Sequence, residues 1–280
     1  MIANGAFARD FSLEATRPSA AEVAGLAALL PAATPVYLSW VPTQSMRELV
    51  TAAAQLRKSG LEPVVHIAAR RLTSAEQLDE LLKGLRGEAE QRRLLVIGGD
   101  IDTSGPFTDA LAVIQKGRLR EAGIEEIGIA GYPEGHSRIP PDRMEAALDQ
   151  KIAAVCAAGL RVHIVSQFSF SPDAVVGWLR RLRQCGIAVP VRVGMAGPTS
   201  FTALMRYAKR CGVNASLRGM ASGAASGLIG NVGPDEIVAS VAAASGIGDA
   251  SPHYFSFGGV LQTARYACDA ARLPADRASA

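Results

Sequence analysis

No apolar run in this 280-residue sequence is long enough to cross a bilayer. The N-terminus lacks a basic stretch followed by an apolar one, so no secretory leader is expected. The four cysteines (Cys156, Cys185, Cys211, Cys268) lie far apart with no Cys-x-x-Cys pair, which argues against a thiol-built redox or metal centre. Three fall in or just past predicted helices, where a small, partly buried thiol is the ordinary reading. Net charge is only +3, and arginines such as Arg180, Arg181 and Arg183 are spread over helix faces, so there is no basic stripe for nucleic acid. No proline-rich linker or composition break marks a domain boundary. Aromatics are few (5%); hydrophobic residues make up 49% and charged residues 20%, the balance of an ordinary globular protein with a sizeable core. A cytoplasmic location is the default expectation, with no membrane or nucleic-acid partner, and homo-oligomerisation is left open.

What is present is alternation. Apolar runs at 7–13, 36–40, 63–67, 94–97, 127–130, 162–166, 189–193 and 254–257 read as strands. Helical stretches lie between them, near 19–30, 44–59, 74–88, 107–122, 142–158, 172–185 and 199–211. Ser19 with Glu22 forms a capping box, Ser74 and Glu76 open another helix, and Gly60, Gly123, Gly159, Gly186 and Gly212 follow helices as C-terminal caps. Repeated strand–helix order implies parallel strands with right-handed crossovers. Eight such units in this length favour an α/β fold of the closed (β/α)8 TIM-barrel type, one domain over 1–280, ahead of a doubly wound sheet. The Gly-, Ala- and Ser-rich stretch 213–250 reads as extra helix and loop before the last strand, and 273–280 as a frayed tail.

Barrel enzymes work at the C-terminal ends of their strands. There the sequence places Glu14, His66, Asp100 after Gly98-Gly99, the cluster Gly131-Tyr132-Pro133-Glu134-Gly135-His136, Gln167, and Arg192 just before Gly194-Met195. The six-residue cluster is the most informative: turn-forming glycines and proline meet an aromatic, a carboxylate and an imidazole at one strand end. Each residue alone is as well explained by a polar loop. His136 has no second His or Cys at ligand spacing, so no metal is expected. No lysine stands at a strand end to form a Schiff base, which weighs against an aldolase. The run Gly219 to Gly230 suits either a phosphate cradle or close helix packing.

Together these segments resemble the methylenetetrahydrofolate reductase family. Phe11-Ser12-Leu13-Glu14 looks like its first-strand motif, and Pro63 to Ile67 like its third-strand histidine segment. Gly99-Asp100 resembles the end of its Arg-Gly-Asp signature, and Ala130 to His136 its Tyr-Pro-Glu-x-His motif. Ser166-Gln167-Phe168 is similar to its Thr-Gln-Phe, and Val193-Gly194-Met195 to its Pro-Gly-Ile/Met turn. The resemblance covers residues 7–211 and implies a (β/α)8 barrel that binds FAD noncovalently. It also implies interconversion of 5,10-methylenetetrahydrofolate and 5-methyltetrahydrofolate with NADH or NADPH.

By that resemblance Glu14 is the general acid that opens the imidazolidine ring, its pKa raised by burial under a stacked ring. Asp100 stabilises the cationic iminium intermediate and contacts the flavin. Gln167 and Tyr207 meet the folate, and His66, Gly99, Tyr132, His136 and Asp149 contact the cofactor. The match is imperfect. Gly98 stands where the family has an arginine. Cys156 lies near the place of a cofactor lysine, with Lys151 over a turn earlier. Ala203 replaces a glutamine, and Gly258-Gly259 falls where an arginine is expected. Two missing cations imply weakened binding of a pyrophosphate, which Arg192 or Arg218 would have to offset. Three other readings follow: hydride passed directly from NAD(P)H to folate without flavin, oxidation of 5-methyltetrahydrofolate in one-carbon catabolism, and a non-catalytic folate-binding or accessory barrel.

Overall fold

The computed structural model describes residues 4–101, 105–211, 231–232 and 234–272. The predicted tail at 273–280 and half of the 213–250 insertion, with Arg218, Gly212 and the run Gly219 to Gly230, lie outside the described residues.

Eight strands form one closed sheet. They are β1 (Ser12–Ala15), β2 (Pro35–Leu38), β3 (Glu62–Ala68), β4 (Arg93–Ile97), β5 (Glu126–Gly131), β6 (Arg161–Ser166), β7 (Val191–Ala196) and β10 (Ala250–Phe255). The order around the barrel is β1-β10-β7-β6-β5-β4-β3-β2, with β2–β3, β3–β4, β4–β5 and β7–β10 parallel. Helices separate the strands: α1 (Asn4–Arg9), α2 (Ala20–Leu29), α3 (Met46–Lys58), α4 (Ala75–Ala89), α5 (Ala110–Lys116), α6 (Pro141–Ala157), α7 (Pro172–Gln184), α8 (Phe201–Cys211), α9 (Asp235–Ala243) and α10 (Val260–Arg272). A short antiparallel pair, β8 (Thr199–Ser200) with β9 (Asn231–Val232), is an addition the sequence did not announce. This is the expected (β/α)8 architecture, with α9 as an extra helix before the last strand. Among the described residues no helix is long and apolar enough to cross a membrane, and no cluster of three His, Cys, Asp or Glu side chains is placed to hold a metal.

The packing divides into two compact units, Glu14–Ala130 with Asp142–Val165, and Met1–Leu13 with Gly131–Pro141 and Ser166–Ala280. In the first, strand alternation sends every second side chain to one face. Tyr37, Val64, Leu95 and Val165 make a buried cluster there, with Ile97 against it. The opposite faces take Leu49, Ala53 and Leu56 of α3 and Leu81 and Leu85 of α4, all nearly fully buried. Each buried leucine is worth roughly 1.5–3 kcal/mol against exposure. The capping box at Ser19–Glu22 forms, and Ser45 with Glu48 makes a second one at α3.

Three boundaries differ from expectation. Residues 7–9 belong to α1, not to the first strand: Phe7, Ala8 and Phe11 are buried while Arg9 and Asp10 are exposed, a helical spacing rather than an alternating one. The helix expected over 107–122 is only α5, because Gly117 ends it and Arg118 turns left-handed (φ 44°), so Gly123 caps a turn instead. The last strand starts at Ala250, four residues before the apolar run, because the buried side chains of Ser251 and His253 are polar and broke the apolar signal.

Candidate active site

In the first unit, Glu14 sits in β1 with its side chain 16% exposed. Ser39 lies just past β2, where its N–H donates to the Ala15 carbonyl at 3.2 Å, and its hydroxyl donates to Glu14 Oε1 at 2.5 Å. Thr16 donates in turn to the Ser39 hydroxyl at 3.2 Å. The other carboxyl oxygen, Oε2, is 3.7 Å from Nε2 of the buried His66 on β3. The structure therefore joins two of the expected residues, Glu14 and His66, and adds Ser39. Trp40 follows at once, its indole N–H donating to the Gln44 carbonyl at 3.1 Å.

Asp100 ends the turn after β4. Gly99 takes φ +94° there, a left-handed conformation open to glycine, and Asp100 is 59% exposed. Arg71 Nη2 grips its Oδ1 at 2.6 Å. Arg70, beside it on the 3₁₀ turn Ala69–Arg71, donates its N–H to the Gly98 carbonyl at 3.0 Å and Nη1 to the Ile101 carbonyl at 3.2 Å. A Cβ built on Gly98 would lie 3.1 Å from Arg70 Nη2. A positive charge from the turn after β3 thus lies beside position 98, a relation invisible in the sequence.

Lys151 lies over a turn before the place of the family's lysine, and its Nζ donates to the Ala130 carbonyl at 3.4 Å, at the end of β5. Burial pushes its pKa from 10.5 down to about 8, with Asp109 partly pulling it back. Asp149 is exposed two residues earlier on α6, about 200° round the helix, and Cys156 is exposed.

In the second unit the Tyr132–His136 turn is compact. The two rings meet edge-on at 5.2 Å, and the Arg138 N–H donates to His136 Nδ1 at 3.2 Å. That bond assigns the proton of the neutral ring to Nε2. Glu134 accepts a short hydrogen bond from the buried Ser169 hydroxyl. Gln167 is held by its N–H on the Gly131 carbonyl at 2.8 Å, and its Oε1 accepts from the Phe168 N–H at 3.1 Å, which turns the amide donors outward. Tyr207 stacks on Phe257 (4.2 Å, 15°). Phe257 joins Phe168, Phe170 and Phe255 in one aromatic cluster. The signal for Phe170, Phe255 and Phe257 was available in two Phe-x-Phe spacings, which put both rings of each pair on one side of an extended chain.

Arg192 pairs with Asp10, with Nη2 3.2 Å from Oδ2 and Nη1 donating to the carbonyl at 2.8 Å. At Gly258 a Cβ would lie 2.2 Å from the Pro198 carbonyl oxygen, so position 258 has no room for a side chain.

The family profile of methylenetetrahydrofolate reductase matches residues 28–217. The chain belongs to this family. Its similarity to individual members is modest. It is 25% identical over 158 residues to methylenetetrahydrofolate reductase 2 of Saccharomyces cerevisiae, covering 54% of this chain and 26% of that protein. It is 27% identical over 152 residues to the 5,10-methylenetetrahydrofolate reductase of Pectobacterium carotovorum, covering 54% and 49%. The chain thus spans about a quarter to a half of these relatives. Among solved structures it resembles dihydropteroate synthase of Thermus thermophilus (TM-score 0.52, 15% identity, 92% of this chain and 91% of that one). It also resembles the tryptophan synthase α-subunit of Pyrococcus furiosus (TM-score 0.52, 13% identity, 97% and 98%). These two likenesses speak to the barrel fold alone. The family match contains His66, Asp100, Tyr132, His136, Gln167 and Tyr207 and begins after Glu14.

Proposed function

We propose that this chain reduces 5,10-methylenetetrahydrofolate to 5-methyltetrahydrofolate with NADH or NADPH, using bound FAD. The observation that carries the reading is the half-buried carboxyl of Glu14 at a barrel strand end, held through Oε1 by Ser39 and faced at Oε2 by His66. The donor set fits an anionic dinucleotide: Arg70 over Gly98, Lys151 at the end of β5, and His66 with its ring buried. FAD, when bound, supplies the hydride carrier between nicotinamide and pterin.

Ring opening needs a proton on the departing nitrogen of the imidazolidine. Glu14 delivers it from Oε2, while Ser39 fixes the carboxyl plane through Oε1. The iminium so formed is cationic, and Asp100, held by Arg71, offers it a fixed negative charge. Gln167 turns amide donors to the acceptor edge of the pterin. Tyr207 and the Phe cluster give the flat rings of a folate an apolar surface for stacking. Tyr132 and His136, with the imidazole proton on Nε2, suit hydrogen bonds to flavin or ribityl oxygens. Because Arg70 and Lys151 support cofactor binding, the flavin-mediated route is favoured over direct transfer. Visible absorption of the purified protein with and without added FAD tests the reading, together with menadione- and folate-linked NAD(P)H oxidation. A colourless protein that takes up no FAD and turns over no folate sinks it.

A further inference from the structure

A second buried polar array lies beneath Glu14, in the same packing unit, and the proposed chemistry leaves it unused. Glu126 opens β5, and its Oε1 lies 2.8 Å from Nδ1 of His163 on β6. The other imidazole nitrogen, Nε2, is 2.8 Å from the Tyr37 hydroxyl on β2. Strands β2 and β6 are four apart in the closed order, so this bond crosses the barrel interior. Tyr37 then meets His66 edge-on, with ring centroids 6.2 Å apart, and His66 Nε2 is 3.7 Å from Glu14 Oε2. Tyr37, His66 and His163 are all less than 7% exposed.

The array is built for. A Cβ on Gly128 would lie 2.7 Å from His163 Nε2, so the absence of a side chain there admits the imidazole. Apolar residues of similar volume would hold a barrel core at least as well as a buried carboxylate–imidazole pair, so core packing does not explain this one. What it does provide is orientation. An ionised Glu126 fixes the proton of His163 on Nδ1, which leaves Nε2 to accept from Tyr37. The phenol ring is thereby tethered, and it meets the His66 ring at an interplanar angle of 77°.

We propose that Tyr37 and His163, anchored by Glu126, are positioning residues that hold the His66 imidazole in register with Glu14 and so set the protonation of that pair. The proposal rests on Glu14 as the acid of the proposed reduction. The charged and titratable groups around the column are Arg93 on β4 (3.3 Å from Glu126), Arg161 on β6 (3.5 Å from Glu126), and Glu125, itself 3.6 Å from Arg161.

The test uses Tyr37→Phe, with Glu126→Gln as a second variant should the first fold poorly. Tyr254→Phe is the control, removing a buried hydroxyl that has no hydrogen-bond partner among the described residues. The chain has four histidines, so ring ¹⁵N NMR resolves each of them. Both variants are expected to shift the ring signals and titration midpoint of His66 while leaving His253 unmoved. They should lower kcat about tenfold, well short of the loss of the acid itself, with KM for methylenetetrahydrofolate within twofold and a displaced pH profile of kcat. Tyr254→Phe should do none of this. If His66 titrates in both variants as in the unaltered protein, the proposal is overturned. If the unaltered protein has no folate-linked turnover, the proposed function fails, and the NMR arm alone still decides whether the column governs His66.

Discussion

The guanidinium of Arg70 fills the space that a side chain at Gly98 would need, with Nη2 3.1 Å from that Cβ position. A positive charge beside the β4 turn is therefore kept although the residue at position 98 carries none. Arg70→Ala should weaken FAD binding about tenfold, the order expected for one charged hydrogen bond. Arg70→Lys should recover part of it. Quenching of flavin fluorescence on titration measures both, and unchanged affinity in Arg70→Ala removes this residue from the cofactor's contacts.

Glu14→Gln keeps the shape of the carboxyl and its acceptor for Ser39, and removes the proton. Turnover of methylenetetrahydrofolate should fall by at least about 100-fold. NAD(P)H–menadione activity, which needs no proton on a folate nitrogen, should persist. Stopped-flow assays of the two half-reactions separate these outcomes, and full folate turnover in the variant would remove Glu14 as the acid.

Glu126 yields a prediction about acid stability. The hydrogen bond from His163 holds its pKa down from 4.5 to about 2, with Arg93 and Arg161 adding to the effect. A carboxyl with a depressed folded pKa contributes stability above its unfolded value and loses it as pH falls through the window from about 4.5 to about 2. Urea unfolding at stepped pH should show Glu126→Gln losing less stability than the unaltered chain across that window.

Gly128→Ala forces a methyl group to within 2.7 Å of His163 Nε2 and 3.1 Å of Leu95 Cδ1. Overpacking of this kind costs about 1–3 kcal/mol. The urea midpoint should fall with little change in slope, and the His163 ring signals should move.

Lys151, with its pKa lowered to about 8 by burial, carries a large neutral fraction at mildly alkaline pH. A bound phosphate favours the charged form and shields the amine. Acetylation of Lys151 at pH 8, followed by peptide mass spectrometry, should therefore drop when FAD is present. Equal labelling with and without FAD would place the cofactor elsewhere.

Alternation of apolar runs with capped helices made the barrel legible because both signals are local. The Tyr132–His136 turn was legible for the same reason, since glycine, proline and the polar side chains are neighbours in the chain. Arg70 was not, because its position over Gly98 depends on the register that sets Ala68 against Ile97 across β3 and β4. Nor was the Tyr37–His163 bond, whose partners are 126 residues apart. Phe7 to Arg9 is helical where the sequence suggests strand, because so short an apolar run carries no periodicity long enough to separate the two.

Two indoles are all this chain possesses. Trp178 is buried in α7, whereas Trp40 is half-buried immediately after Ser39, whose hydroxyl donates to Glu14. An isoalloxazine arriving near that serine would absorb the light Trp40 emits. A chain with Trp178→Phe would therefore carry a single native optical gauge, reporting occupancy through its dimming with no label attached.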